Sequence, residues 1–177
     1  MAWTAPMTAV DNTAFFAAEF NTHVRDNLLE TAPAKASAVG SFFVGVGTNE
    51  ISERTPATGF VVTSQTTTST TFTDLGTVGP SVTLTTGTAA LVILGCSLGN
   101  TTTNISSYMS FEAPGYAATG NRAVGKTSQT AANMRLHASN YIWLDALTPG
   151  SNTFTAKYSV TGGTGTFANR ALTVIPL

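Results

Sequence analysis

Thr153-Phe-Thr-Ala-Lys-Tyr-Ser-Val160 alternates without a break: Phe154, Ala156, Tyr158 and Val160 fall on one side, and Thr153, Thr155, Lys157 and Ser159 on the other. A period of two with apolar residues on one face and hydroxyls on the other is the pattern of an antiparallel strand with one wet side. The same texture spreads outward from it. Phe60-Val-Val-Thr63, Thr71-Phe-Thr-Asp-Leu75, Ser81-Val-Thr-Leu-Thr-Thr86 and Ala89-Ala-Leu-Val-Ile-Leu94 precede it, with Ile105-Ser-Ser-Tyr-Met-Ser-Phe111, Asn133-Met-Arg-Leu-His137 and Tyr141-Ile-Trp-Leu144, and Asn169-Arg-Ala-Leu-Thr-Val-Ile175 follows. Turn residues separate them, most clearly Gly79-Pro80, Pro149-Gly150 and Gly162-Gly163. Short strands in series with no helical run between them predict a mainly β fold, an antiparallel β-sandwich of jelly-roll type over residues 57–177.

Composition agrees with a packed domain that is unusually poor in charge. Only 10% of the 177 residues are charged, against about 25% in average globular proteins. The chain is nevertheless 42% hydrophobic with ten Phe, which argues against disorder. Thr, about a fifth of the residues, supplies the wet faces. The formal net charge of −1 gives no broad attraction to nucleic acid or to an anionic membrane. No apolar run approaches the ~20 residues that cross a bilayer, and the start at Met1-Ala2-Trp3-Thr4 lacks the pattern of a secretory signal, so synthesis in a cytoplasm is expected. Cys96, the one cysteine, sits in Leu91-Val-Ile-Leu-Gly-Cys-Ser97, the most apolar run, and reads as a small buried hydrophobe.

Residues 1–56 have a different character. An amphipathic helix is expected from about Thr13 to about Glu30, with Asp11-Asn12-Thr13 as capping residues and Ala32-Pro33 as the stop. Its apolar stripe is Phe16, Phe20, Val24 and Leu28, widened by Phe15 and Leu29, while Glu19, Arg25, Asp26 and Glu30 stay in water. A lone helix of this length is marginal, so the stripe needs an apolar partner. Further on, Phe42-Phe43-Val44 and Glu50-Ile51-Ser52 flank Gly45-Val-Gly47-Thr-Asn49, a short hairpin that also needs neighbours. The first part thus reads as a mount of helix and hairpin, and the rest as a displayed head.

Trp3-Thr-Ala-Pro6 followed, after a spacer, by Phe20-Asn-Thr-His-Val-Arg25-Asp26-Asn27 resembles the N-terminal segment of structural proteins from tailed bacteriophages of actinobacteria. Gly40-Ser-Phe-Phe-Val-Gly-Val-Gly-Thr-Asn49 with Ile51 and Arg54 is similar to a short β element of phage tail-fibre chains. The two cover roughly the first third of the chain. The resemblance implies a non-enzymatic virion protein without cofactor, a homotrimer attached through its N-terminus to other virion structural proteins. The attachment and oligomer residues it points to are Trp3, Pro6, Phe16, Phe20, Val24, Arg25, Asp26, Asn27, Leu28, Phe42, Phe43, Val44 and Ile51. A short fibre or knob on the tail or baseplate is the first expectation. A decoration or head fibre on the capsid, and an adhesion module that binds a host glycan through Tyr116, Tyr141 and Trp143, are the alternatives.

One motif points elsewhere. Gly120-Asn-Arg-Ala-Val-Gly125-Lys126-Thr127 satisfies the spacing of a phosphate-binding loop. That loop works only between an entering apolar strand and a departing helix, and Glu112-Ala-Pro-Gly-Tyr-Ala-Ala-Thr119 is no such strand, so a polar connection is expected instead. His23 and His137 are far apart, the carboxylates are scattered and no nucleophile elbow is present, so no catalytic or metal site is expected. The sequons at Asn100 and Asn104 read as products of Asn and Thr abundance.

Overall fold

The structure, a computed structural model, describes residues 4, 5, 7, 8, 10, 11, 13–31, 35–128 and 134–177. Trp3 and Pro6 of the expected attachment set lie outside the described residues, as do Asn12, the Ala32-Pro33 helix stop and Asn133. The chain divides into two compact units, residues 1–55 and 56–177.

In the first unit the helix is shorter than its apolar spacing suggests. It runs as α1 (Ala17–Phe20), a π-helical turn (Asn21–Arg25) and α2 (Asp26–Leu29). The expected start near Thr13 is corrected by the local hydrogen bonds. The Thr13 hydroxyl donates to the Val10 carbonyl, and Glu19 serves the first turn instead, accepting the Phe16 amide at 2.9 Å. The hairpin is β1 (Phe42–Gly47) and β2 (Glu50–Arg54), turning at Thr48-Asn49 with Asn49 in the left-handed region. Gly45 and Gly47 belong to the strand rather than the turn, because a bulge between them absorbs the extra residue.

The second unit is an antiparallel β-sandwich. Its strands are β3 (Ala57–Val61), β4 (Gln65–Thr67), β5 (Ser81–Thr86), β6 (Ala90–Asn100), β7 (Ile105–Glu112), β8 (Val124–Ser128), β9 (Leu136–Leu144), β10 (Gly150–Val160) and β11 (Gly165–Pro176). One sheet has the order β3-β11-β6-β9 with β4 also on β11, and the other β5-β10-β7-β8. The chain changes sheet at every connection except β3 to β4 and β7 to β8. Between the sheets lie Val92, Leu94 and Leu98 of β6, Met109 and Phe111 of β7, Phe154 and Tyr158 of β10, and Phe167 and Leu172 of β11, all fully buried. Each large apolar side chain so placed stabilises the head by about 1.5–3 kcal/mol.

Several strands differ from the alternation reading. Ser81–Thr86 is a strand as expected, and Thr153–Val160 lies within the longer β10. Thr71–Leu75 makes only an isolated bridge, Thr73 with Tyr158. The run from Leu91 continues through Gly95-Cys96-Ser97 to Asn100 as one long strand, because β9 and β11 flank it on both edges and supply partners for its whole length. His137 and Tyr141 lie on a single strand. The Gly162-Gly163 turn joins β10 to β11 with Gly163 at φ +63°, where an L side chain is strained and a Cβ would stand 2.5 Å from the Asn100 side chain.

β11 carries the main irregularity of the head. Its pairing with β6 shifts between Ala168 and Ala171, and Asn169 is left-handed. Before the bulge the inward residues are Gly165 and Phe167; after it they are Arg170, Leu172 and Val174. The shift therefore turns an arginine into the core. Arg170 is fully buried and donates from Nη1 to the carbonyls of Thr77 (3.3 Å) and Gly79 (3.2 Å). From Nη2 it donates to the Thr63 carbonyl (3.4 Å) and Gln65 Oε1 (3.3 Å). Its guanidinium lies 5.3 Å from the Tyr158 ring centre, and the Tyr158 hydroxyl donates to the same Gly79 carbonyl at 2.7 Å. Burial pushes the Tyr158 phenol well above its usual range, and Arg170 works against that shift. No carboxylate neutralises Arg170 among the described residues; backbone carbonyls of the 63–79 connection do so instead.

Candidate functional site

The two halves of the N-terminal motif, eighteen and more residues apart in sequence, meet in the structure. Asn27 is buried, and its side-chain amide pairs with the backbone of Thr4. Oδ1 accepts the Thr4 amide at 2.9 Å, and Nδ2 donates to the Thr4 carbonyl at 3.0 Å and to the His23 carbonyl at 3.0 Å. His23 Nδ1 lies 2.9 Å from the Ala5 carbonyl, an acceptor only, so Nδ1 carries the hydrogen in this contact. The amide of Asn27 thus pairs with the Thr4 backbone as a strand partner would, and with the His23 contact ties residues 4 and 5 to the helix. Arg25 and Asp26, expected at an interface, pair with each other at 2.7 Å on the surface. Replacing Asn27 with alanine removes all three bonds. Amide exchange at Thr4 is then expected to accelerate about ten-fold or more, in line with ~1–3 kcal/mol for a buried amide's partners, and unchanged exchange would contradict the clasp.

The helix stripe is bare. Phe16 is 65% exposed, Phe20 46% and Leu28 60%, with Phe15, Val24 and Leu29 also exposed. Phe15 and Phe20 pack edge to face at 6.0 Å, the one ring pair of the stripe among the described residues. Behind the helix, Lys35 ion-pairs with Glu30 and donates to the Ile51 carbonyl at 3.2 Å, tying the helix end to β2. Phe42, Phe43, Val44 and Ile51 of the hairpin are all half-buried.

Glu53 fixes the approach to the hairpin. Its carboxylate accepts from the Ser37 and Ser41 hydroxyls and from the amides of Ser37 (2.8 Å) and Ala38 (3.1 Å). These donors, the Ser37 hydroxyl first, hold the carboxyl down to about 2, against an ordinary 4.5. A carboxyl depressed in the folded state contributes stability that is complete above its unfolded value and is lost as pH falls through the folded one. Ordering of residues 37–41 is therefore expected to persist to pH 4.5 and to fade toward pH 2. An NMR titration of the Glu53 side chain checks it; a midpoint near 4.5 would contradict it.

The two outer faces of the head are chemically unlike. On the β5-β10-β7-β8 sheet, hydroxyls pair across strands, Ser81 with Thr155 at 2.9 Å and Thr83 with Thr153 at 2.8 Å. Lys157 there bridges Asp74 (2.9 Å) and Glu112 (3.4 Å), and the Asp74 hydrogen bond raises its pKa. The other sheet presents three uncharged rows rich in apolar side chains. Ile175, Leu91 and Trp143 stand side by side, then Thr58, Thr173, Ile93 and Tyr141, then Phe60, Ala171, Gly95 and Ser139. Tyr141 is 75% exposed, Trp143 57% and Phe60 58%. Tyr116, grouped with these aromatics on sequence grounds, is half-buried in a different setting: its hydroxyl accepts the Ala146 amide at 2.9 Å and its ring lies 5.3 Å from the Arg122 guanidinium. Phe60 and Ile93 join the platform only through strand register, which no local pattern discloses.

The phosphate-loop spelling is resolved by its backbone. Gly120–Arg122 is a 3₁₀ turn and Val124–Ser128 is strand β8, paired antiparallel with β7, rather than the polar connection expected. A strand in place of a helix start offers no array of free amides to a phosphate. Gly125 is needed for packing: a Cβ there would lie 2.5 Å from the Tyr108 ring. Lys126 turns inward and donates to the Met134 carbonyl. Cys96 is buried, and burial pushes its thiol up to about 12, far from a reactive thiolate. Among the described residues no three His, Cys, Asp or Glu side chains gather as a metal site, and no helix is long and apolar enough to cross a membrane.

No protein-family model matches the chain, and no curated protein matches it. Among solved structures, one titled "Structure of infectious bursal disease virus Gx strain" is similar with a TM-score of 0.40 and 11% identity, over 74% of this chain and 35% of that one.

Proposed function

We propose that the chain is a non-enzymatic structural protein of a tailed-bacteriophage particle, a short homotrimeric knob held to the tail or baseplate by its N-terminal unit and displaying the β-sandwich head. The observation that carries this reading is the bare stripe Phe20, Val24 and Leu28, with exposed Phe16 just ahead of it, on a helix too short to be stable alone. Such a stripe needs cover, and copies of the same helix around an axis supply it. The Asn27 clasp supports the reading from another side, since it gives the motif's two separated halves one structural task. The half-buried hairpin residues Phe42, Phe43, Val44 and Ile51 extend the mount beside the helix. The alternation of the chain between sheets ordered β3-β11-β6-β9 and β5-β10-β7-β8 supports a jelly-roll winding for the head.

Sedimentation equilibrium tests the mount. The expected mass is three times the 18.3 kDa of one chain, and a monomer at micromolar concentration would overturn the reading.

A further inference from the structure

We infer that the outer face of the β3-β11-β6-β9 sheet docks on the equivalent faces of sister copies, so that the heads as well as the mounts are in contact. The inference rests on the oligomer proposed above and adds a second interface to it. Three observations single out this face and its occupant.

The first is area. Phe60, Tyr141 and Trp143 are each more than half exposed on one face, with Leu91, Ile93 and Ile175 between them. At 150–250 Å² for a whole aromatic side chain, the three rings alone present roughly 350 Å². With the aliphatic row and rim, this makes the apolar centre of a standard interface of ~800 Å² per partner, and a patch of this kind marks a contact site.

The second is charge. None of the eleven residues in the three rows is ionisable in the physiological range, whereas the opposite outer face carries Lys157, Asp74 and Glu112. These three rows, bordered by His137 opposite Ser97 in the next, meet their own copies without like-charge repulsion at the centre, and they offer a charged partner little to pair with. Their Thr58 and Thr173 hydroxyls bond to each other at 2.9 Å.

The third is the edge. β9 is the outermost strand of its sheet, yet its middle is closed to strand addition. The Asn140 side chain accepts the Tyr141 amide at 2.9 Å and donates to the Ala123 carbonyl at 3.0 Å, bridging β9 to the segment that enters β8. Docking therefore uses the face, with Trp143 and Tyr141 as anchors.

The chain has two tryptophans, so subtracting the emission of a Trp143→Phe variant, which leaves the mount untouched, from that of the full chain isolates Trp143 on this face. Where sedimentation gives the oligomer, its emission should be blue-shifted and acrylamide quenching roughly five-fold weaker than in a chain diluted to monomer, as water is excluded from the contact. Adding Ile93→Lys should restore full quenching while sedimentation still gives the oligomer through the mount. An oligomer in which Trp143 is as quenchable as in the monomer overturns this inference and leaves the mount standing. A chain that stays monomeric overturns both. Shielding that persists in the monomer, or that arises only when a neutral oligosaccharide is added, assigns the face to another occupant and overturns the inference as well.

Discussion

Replacement of Arg170 by methionine is expected to destabilise the head by about 3–5 kcal/mol, a large part of the ~5–15 kcal/mol by which a domain of this size is stable. The side chain is fully buried and no carboxylate balances it, so electrostatic attraction between charges is not what the substitution removes. It removes the donors of a connection. The part-buried bonds to the carbonyls of Thr63 and Thr77 would be lost, and a hydrogen bond from a charged donor is worth ~1.5–3 kcal/mol. Gly79 keeps the Tyr158 hydroxyl and suffers less. Lysine should recover only part of the loss, because one ammonium cannot span the fork that reaches Thr63 and Gln65 on one side and Thr77 and Gly79 on the other. Urea unfolding followed by circular dichroism measures the change; a loss below about 1 kcal/mol would show that the 63–79 connection is held by something else.

The second large effect is expected in the mount. A full chain carrying Phe20→Gln, Val24→Gln and Leu28→Gln keeps good helix formers at all three positions and removes three apolar side chains from the stripe. If each contributes ~1.5–3 kcal/mol when buried, the variant loses roughly 5–9 kcal/mol of association per chain, several decades in the dissociation constant. At concentrations where the head contact alone is too weak, its mass should fall to the 18.3 kDa of the single chain, while the thermal transition of the diluted head stays in place, since the substituted residues belong to the other compact unit. An oligomer whose dissociation constant is unchanged by the triple substitution would show that the stripe is not what holds the copies together.

The β architecture was legible where one face is buried and the other wet. Thr153–Val160 and Ser81–Thr86 alternate because their outward residues are hydroxyls that pair across strands on the solvent side. The pattern is lost in β6, where Gly95-Cys96-Ser97-Leu98-Gly99-Asn100 has the composition of a turn and is held as strand by partners on both edges. β8 is hidden in the sequence because a glycine demanded by the Tyr108 ring also completes a loop motif. Arg170 was invisible, since a charged residue in an alternating run is assigned to water, and only the Asn169 bulge turns it inward. In the candidate surfaces, the helix stripe was readable from its spacing of four. The Asn27 clasp was not, because nothing local announces that an amide will pair with a backbone twenty-three residues earlier. Tyr141 and Trp143 were named from sequence, but their apolar companions Phe60, Leu91 and Ile93 come from other strands.

The most direct test of the account is to locate the protein on intact particles. An antibody against the head, gold-labelled and applied to purified phage particles made from the genome that encodes this chain, should mark the tail end of the particle. Particles that carry no label, while the same antibody detects the protein free in the lysate, would contradict a structural role in the virion.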